Sequence, residues 1–186
     1  MKKVFGIAAL LLLSPLSGWS SEPDQAALKV QGLEIAQRFV SQLKPTLKSA
    51  MQSGGPVHAI DVCSEQAPAI AANLSAQTGW SVKRVSLKAR NASSAEPDAW
   101  ERKQLLAFDR QAAGKQPLAP VSAMVEGEFR LMQPQLAGGI CLTCHGETIA
   151  PPVQAALDQY YPADVATGYQ LGQVRGAISL RWIPHE

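Results

Sequence analysis

Long apolar runs are almost missing from this chain of 186 residues. The one clear run, Val4 to Leu13, follows Lys2 and Lys3 and leads into small residues around Ser17 to Ser21. A bilayer-spanning helix needs roughly 20 apolar residues, so the run is too short for an anchor and reads as a secretory leader. Residues 1–20 are therefore expected to be a cleaved signal peptide, and residues 21–186 a single domain of ordinary size. Taking Lys2 and Lys3 from the 17 basic residues leaves 15, against 15 acidic ones. Basic runs are lacking and aromatics make up only 6% of the chain, which excludes a nucleic-acid groove and a polybasic membrane surface. The expected product is exported or periplasmic, with no nucleic-acid partner and no stable membrane insertion after cleavage. Internal repeats and low-complexity linkers are absent too.

Cysteine is scarce, at three residues, and so is histidine, at three. In an oxidising compartment an odd cysteine count calls for an explanation. Two of the thiols lie in the stretch "LAGGICLTCHGE", at Cys141 and Cys144, with His145 directly after; the third, Cys63, lies far upstream.

Apolar residues Val30, Leu33, Ala36, Val40, Leu43 and Leu47 recur at helical spacing, predicting an amphipathic helix over residues 25–51 that Pro45 kinks or ends. "GGP" at Gly54 to Pro56 breaks the chain, and Pro56 opens a second helix. Its apolar face carries Ile60, Cys63, Ala67, Ile70 and Leu74, so Cys63 is expected to face the interior. "WSVKRVSLKAR", from Trp80 to Arg90, predicts a strand, and the residues after Pro97 a helix to Ala113 that buries Trp100, Leu105 and Phe108. Alternation on either side of Glu126-Gly127 predicts a hairpin, whose flanking prolines suggest edge strands. A short helix near Pro151 and a last strand from Val174 to Trp182, irregular near Gly176, complete an α+β domain with a mainly antiparallel sheet of about four strands.

"CLTCH" has three chemical readings. In c-type attachment the two thiols add to haem vinyl groups, and the same spacing places the adjacent histidine under the iron. A redox dithiol needs no such histidine, and zinc needs further ligands at finger-like spacing, for which only Cys63, His58 and His185 remain. With cysteine and histidine at about two per cent each, the pentapeptide arises by chance on the order of once in a thousand such chains. Haem c, one per chain and covalent, is the reading that uses all three residues. Slender backbone at Gly138, Gly139 and Gly146 suits a porphyrin close to the main chain.

The iron's second axial position is left open by these residues. Many small c-type cytochromes use a downstream methionine, but no methionine follows His145 here. Cys63, Met132, Met124, Met51, His58, His185 and water all remain. An unpaired exported thiol invites oxidation, and ligation to ferric iron would give Cys63 a purpose.

The blocks "AIDVCSEQAPAIA", "VKRVSLKARN", "EPDAWE", "CLTCHG", "YPADVATGY" and "GQVRGAISL" resemble, in order, a family of single-haem c-type cytochrome domains first placed among domains of unknown function. Its structurally known cyanobacterial members have a PAS-like fold. The resemblance implies a PAS-like sheet of about four to five strands with N-terminal and flanking helices. It also implies a haem c on Cys141 and Cys144, with His145 on one side of the iron and Cys63 on the other. Where the family commonly reads "RNPxN", this chain has "RNASS" at Arg90 to Ser94, which removes whatever loop geometry that proline sets.

Among the charged residues of these blocks, Arg84, Lys88, Arg90 and Arg175 are candidates for the haem propionates, against solvated faces or core ion pairs with Asp98 or Glu101. Trp80, Trp100 and Tyr169 read as core before haem stacking. The function expected is electron transfer or redox poising with an unidentified redox partner protein; the alternative is a haem-based redox or gas sensor that signals through a separate partner. A peroxidase-like enzyme needs an open distal side, which a bound Cys63 denies, so no enzyme is expected.

Overall fold

The computed structural model describes residues 24–184, so the expected leader and His185 lie outside the described residues. α1 runs Gln25–Thr78, capped by the Asp24 carboxylate, which accepts from the amides of Ala26 at 3.0 Å and Ala27 at 3.2 Å. Its helical geometry breaks at Gly55, with φ 72° and ψ −168°. The guanidinium of Arg38 donates to the side chain of Gln77 at 2.6 Å, although the two are 39 residues apart. A straight helix would separate them by about 58 Å, so α1 folds back on itself at Gly55-Pro56 as a hairpin of two arms. Pro56 starts the second arm, as expected. Pro45 does not end the first arm: it sits on the exposed side, where water can take the carbonyl that its missing N–H leaves free. Gly79, at φ 74°, closes the second arm with its amide on the Ser75 carbonyl.

Four strands follow: β1 Ser81–Val85, β2 Val121–Val125, β3 Glu128–Leu136 and β4 Val174–Trp182, ordered β1-β4-β3-β2 and antiparallel throughout. Positive φ at both Glu126 and Gly127 gives the two-residue primed turn whose twist matches flanking strands. β2 is an edge strand, as expected, but β3 lies between β2 and β4. Pro134 is tolerated there because β2 begins at Val121, opposite Met132, so no strand lies beside the proline on that flank. β1 is shorter than expected, since at Ser86 the chain turns away and the amide bonds to the Ala95 carbonyl at 3.1 Å.

The sheet separates two cores. The α1 hairpin packs Ile35, Phe39, Ile70 and Leu74 against Val82, Phe129, Leu131 and Ile178. On the opposite face α3, Ala99–Ala113, packs Leu105 and Phe108 against Val85, Met132 and Ala177. Asp98 and Glu101 cap α3 reciprocally, and α2, Ala92–Ala95, is a single turn ahead of it. α4, Leu142–His145, is one turn after a 3-10 turn at Gly139–Cys141, and α5, Pro151–Tyr160, packs Val153, Ala156 and Leu157 on Ile60 of the second arm. β4 slips register opposite Gln135 and Leu136, and Gly176 sits there because a Cβ would lie 2.3 Å from the Val85 carbonyl. This close approach draws Ser86 beside Arg175. Among the described residues no helix is long and apolar enough to cross a membrane.

Candidate functional site

The site forms where α4, the second arm of α1 and the frayed end of β1 meet. "CLTCH" needs its glycines: the Gly146 amide closes α4 on the Leu142 carbonyl at 2.9 Å, and a Cβ at Gly146 would come within 2.5 Å of that oxygen. Cys141 and Cys144 are free, half-buried thiols. Cys141 packs against Ala137, Ala166 and Tyr169, and Cys144 against the α1–α5 cluster at Ile60 and Leu157.

His145 is held on several sides. Its Nδ1 lies 2.7 Å from the Ala166 carbonyl, and a carbonyl only accepts, so Nδ1 carries the proton and Nε2 keeps its lone pair. Its backbone carbonyl accepts from the Tyr169 amide at 2.9 Å, and the Tyr169 ring meets the imidazole edge-on, 6.3 Å between centroids. Burial first, then the charges of Arg175 and Arg90, push the imidazole from 6.5 down to about 2, with the Ala166 bond opposing. A neutral ring with a free Nε2 is the form that binds iron.

Cys63 is half-buried at this junction and does not sit deep in the core. Burial pushes its thiol up, while the Arg84 guanidinium pulls it down and the Cys144 thiol pushes it up again, so all three groups share one field. Arg84 is exposed near the end of β1, and Cys63, Tyr161, Arg90 and Cys141 are charged or polar neighbours it feels. It makes no hydrogen bond or ion pair with the described residues.

The other three basic candidates are occupied. Lys88 donates to the Thr167 carbonyl at 3.1 Å and lies 4.9 Å over the Tyr169 ring. Arg90 donates to the Cys144 carbonyl, pairs with Asp164 at 3.1 Å and lies 5.9 Å from the Tyr161 ring. Arg175 lies against His145 itself, its Nε 3.1 Å from Nδ1 and 3.3 Å from Nε2. Asp98 and Glu101 pair instead with Lys83 and Arg130 on the α3 face.

Of the remaining ligand candidates, Met132 is sealed in the α3-side core, across the sheet from the α1 face. Met124 packs on the α1-side cluster, Met51 is half-buried in the first arm, and His58 is exposed beside the Gly54 turn. Trp80 is core, and Trp100 stacks on Arg130 at 4.7 Å. Tyr161 belongs to the site but carries no cysteine, histidine or charge to mark it in the sequence; only its place in "YPADVATGY" hinted at it. Asp164 in the same block accepts from the Ala166 amide at 2.7 Å and so holds the carbonyl that orients His145.

Among the described residues no three His, Cys, Asp or Glu side chains gather around one point, so zinc lacks a donor set. A haem needs less. Its macrocycle supplies four of the six iron ligands, leaving two axial donors and two thiols for the protein to provide, and this junction offers Nε2 of His145, Cys63, Cys141 and Cys144. The residues fit the group.

A search of curated proteins finds no match. The crystal structure of the cyanobacterial haem protein Tll0287 matches the fold with a TM-score of 0.63 at 24% identity, over 89% of this chain and 98% of that one. A family model described as Tll0287-like matches residues 21–182, so this α+β chain belongs to the Tll0287-like family.

Proposed function

We propose that this protein carries one haem c, bound through Cys141 and Cys144, with His145 and Cys63 as axial ligands, and that it works as an exported, periplasmic electron-transfer or redox-poising protein. The observation that carries the reading is the meeting of Cys63, from the second arm of α1, with "CLTCH" around Arg84. The solved relative is named as a haem protein, which supports it. Bound here, haem supplies one-electron chemistry between ferric and ferrous iron.

The chain's own residues set the terms. The Ala166 carbonyl fixes the ring and tautomer of His145, leaving Nε2 as the nitrogen that would hold the iron. Cys63 would hold the iron as the thiolate, a form that burial disfavours for the free thiol and that a ferric centre would favour. An anionic thiolate stabilises the ferric state, so the potential is low. With both axial sites filled, substrate cannot reach the iron, so the protein is not a peroxidase. Arg84, free of other partners, neutralises a propionate. The partner is a separate redox protein.

The test is expression with and without a c-haem maturation system. Haem colour that survives a denaturing gel, and is lost in Cys141→Ala/Cys144→Ala, is expected; a colourless wild type overturns the reading. Carbon monoxide should bind the reduced protein slowly and weakly, and fast, tight binding would move the function to sensing.

A further inference from the structure

Arg175 stands in an unusual position. Its side chain is only 8% exposed, yet no carboxylate among the described residues pairs with it. Its Nη1 donates to Ser86 Oγ at 3.1 Å and to the Lys88 carbonyl at 3.3 Å, and its Cζ lies 5.4 Å from the Tyr169 ring. Ser86 Oγ in turn donates to the Arg175 carbonyl at 2.8 Å, so the residue is clamped at both ends. These contacts engage Nη1 and Nε and bring no carboxylate to the charge among the described residues. Burial of a cation on such terms is costly and calls for a nearby negative charge.

The contact with His145 is not an ordinary hydrogen bond. Nδ1 is already committed as a donor to Ala166, and an in-plane nitrogen that close to both ring nitrogens would collide with the carbon between them. The guanidinium therefore lies against the face of the ring. From there it donates little to either nitrogen but places a full positive charge beside the ligand.

We propose that Arg175 is a potential-setting residue rather than a propionate partner: a fixed, buried positive charge stacked on the axial histidine that favours ferrous over ferric iron. This rests on the reading that His145 ligates a haem. The residue acts through His145 and its field, and offsets part of the ferric bias that the Cys63 thiolate creates. Arg84 is the second guanidinium here without a carboxylate partner, whereas Arg90 has Asp164. A ferric haem with one thiolate and two ionised propionates has a formal charge of minus two, so positive charge beside it is favourable. Reduction adds one more negative charge to the same field, and a buried guanidinium favours it.

The experiment is a spectroelectrochemical titration of the holoprotein with Arg175→Gln, Arg175→Lys and Ser86→Ala. At a fixed ambient potential, Arg175→Gln is expected to shift the ferric-to-ferrous ratio toward ferric by about tenfold, which is 59 mV for one electron. Arg175→Lys keeps the charge and should recover more than half of that shift, with the ligand type of the ferric spectrum unchanged in both. The shift should persist at high salt, because the charge is buried. Ser86→Ala, which loosens the clamp without touching the charge, should move the ratio the same way by less. A ratio within twofold of wild type in Arg175→Gln overturns the proposal. So does Arg175→Lys behaving like Arg175→Gln, which would mark a purely structural role. If Arg175→Gln yields no holoprotein, an unmoved ratio in Ser86→Ala overturns it instead. Loss of the haem reading looks different: the wild type itself is colourless.

Discussion

Asp164→Ala probes how His145 is held. Asp164 Oδ1 accepts from the Ala166 amide at 2.7 Å, and the Ala166 carbonyl takes the Nδ1 proton of His145 at 2.7 Å, so one carboxylate stands behind the ring. Its Oδ2 lies 3.1 Å from Arg90 Nη2, with the two side chains 7% and 13% exposed. Truncation leaves the Ala166 amide buried without its acceptor, at about 1–3 kcal/mol. It also leaves the Arg90 cation without its counter-charge, which costs about 3–5 kcal/mol for a well-formed buried pair. Here Oδ2 and Arg90 Nε find no hydrogen-bond partner, so the low end applies and the total is about 4 kcal/mol. In a domain of this size that lowers the melting temperature by roughly 8–16 °C. Asp164→Asn keeps the oxygen that accepts from Ala166 and loses only the charge, so it should cost about 3 kcal/mol. Melting by circular dichroism measures the first effect, and paramagnetic resonance of the ferric holoprotein the second. Asp164→Ala should broaden or split the ferric signal as the ring loses its fixed acceptor, while Asp164→Asn keeps one species. A melt within about 3 °C of wild type for Asp164→Ala, or identical resonance spectra for the two variants, would refute the reasoning.

Two further predictions concern the α3 face. Glu101 is fully enclosed and accepts from Ser179 at 2.6 Å, Lys83 at 2.9 Å and the Asp98 amide at 2.9 Å, with Arg130 at 3.3 Å. Glu101→Ala should cost about 3–5 kcal/mol in chemical denaturation. Lys83→Met, which removes a partner 38% exposed, should cost under about 1 kcal/mol, and the reverse order would count against a buried network. The Asp98 carboxyl is pushed up by burial, but bonds from Arg130 and the Glu101 amide outweigh this and hold it below its ordinary 3.8. Its stabilising effect is therefore complete above about pH 4 and lost as pH falls through the depressed folded value, so Asp98→Asn should flatten the acid limb of the stability curve. An acid limb that stays as steep in the variant assigns that loss to other groups.

Much of this arrangement was legible in the sequence, for local reasons. The pentapeptide, the helical spacing from Leu33 onward, the Glu126-Gly127 turn and the glycine at β4's irregularity are all set within a few residues, and each appears where the pattern placed it, whereas Val30, expected on the apolar face, is 58% exposed. What was not legible depends on distance along the chain. Strand order puts β3 inside the sheet despite Pro134, because only the short reach of β2 makes a proline harmless there. Pro45 survives in a helix because its side of α1 faces water. Cys63 was expected inside by its apolar neighbours, but the fold-back of α1 carries it to the margin of the junction. The basic residues of the matched blocks look alike in sequence, and only the fold separates Arg84, exposed and without a side-chain partner among the described residues, from Lys88, Arg90 and Arg175, bound to carbonyls, Asp164 and the histidine ring. Tyr161 and Asp164 needed the fold to be seen at all.

The central claim is that iron here lies between His145 and Cys63. The measurement that tests it most directly is the absorption and paramagnetic-resonance spectrum of ferric wild type beside Cys63→Ala, with both midpoint potentials. A low-spin thiolate-type spectrum in the wild type that is lost in the variant, together with a rise in potential, is the predicted result. Identical spectra and an unmoved potential would contradict it and return Cys63 to the packing of the helix hairpin.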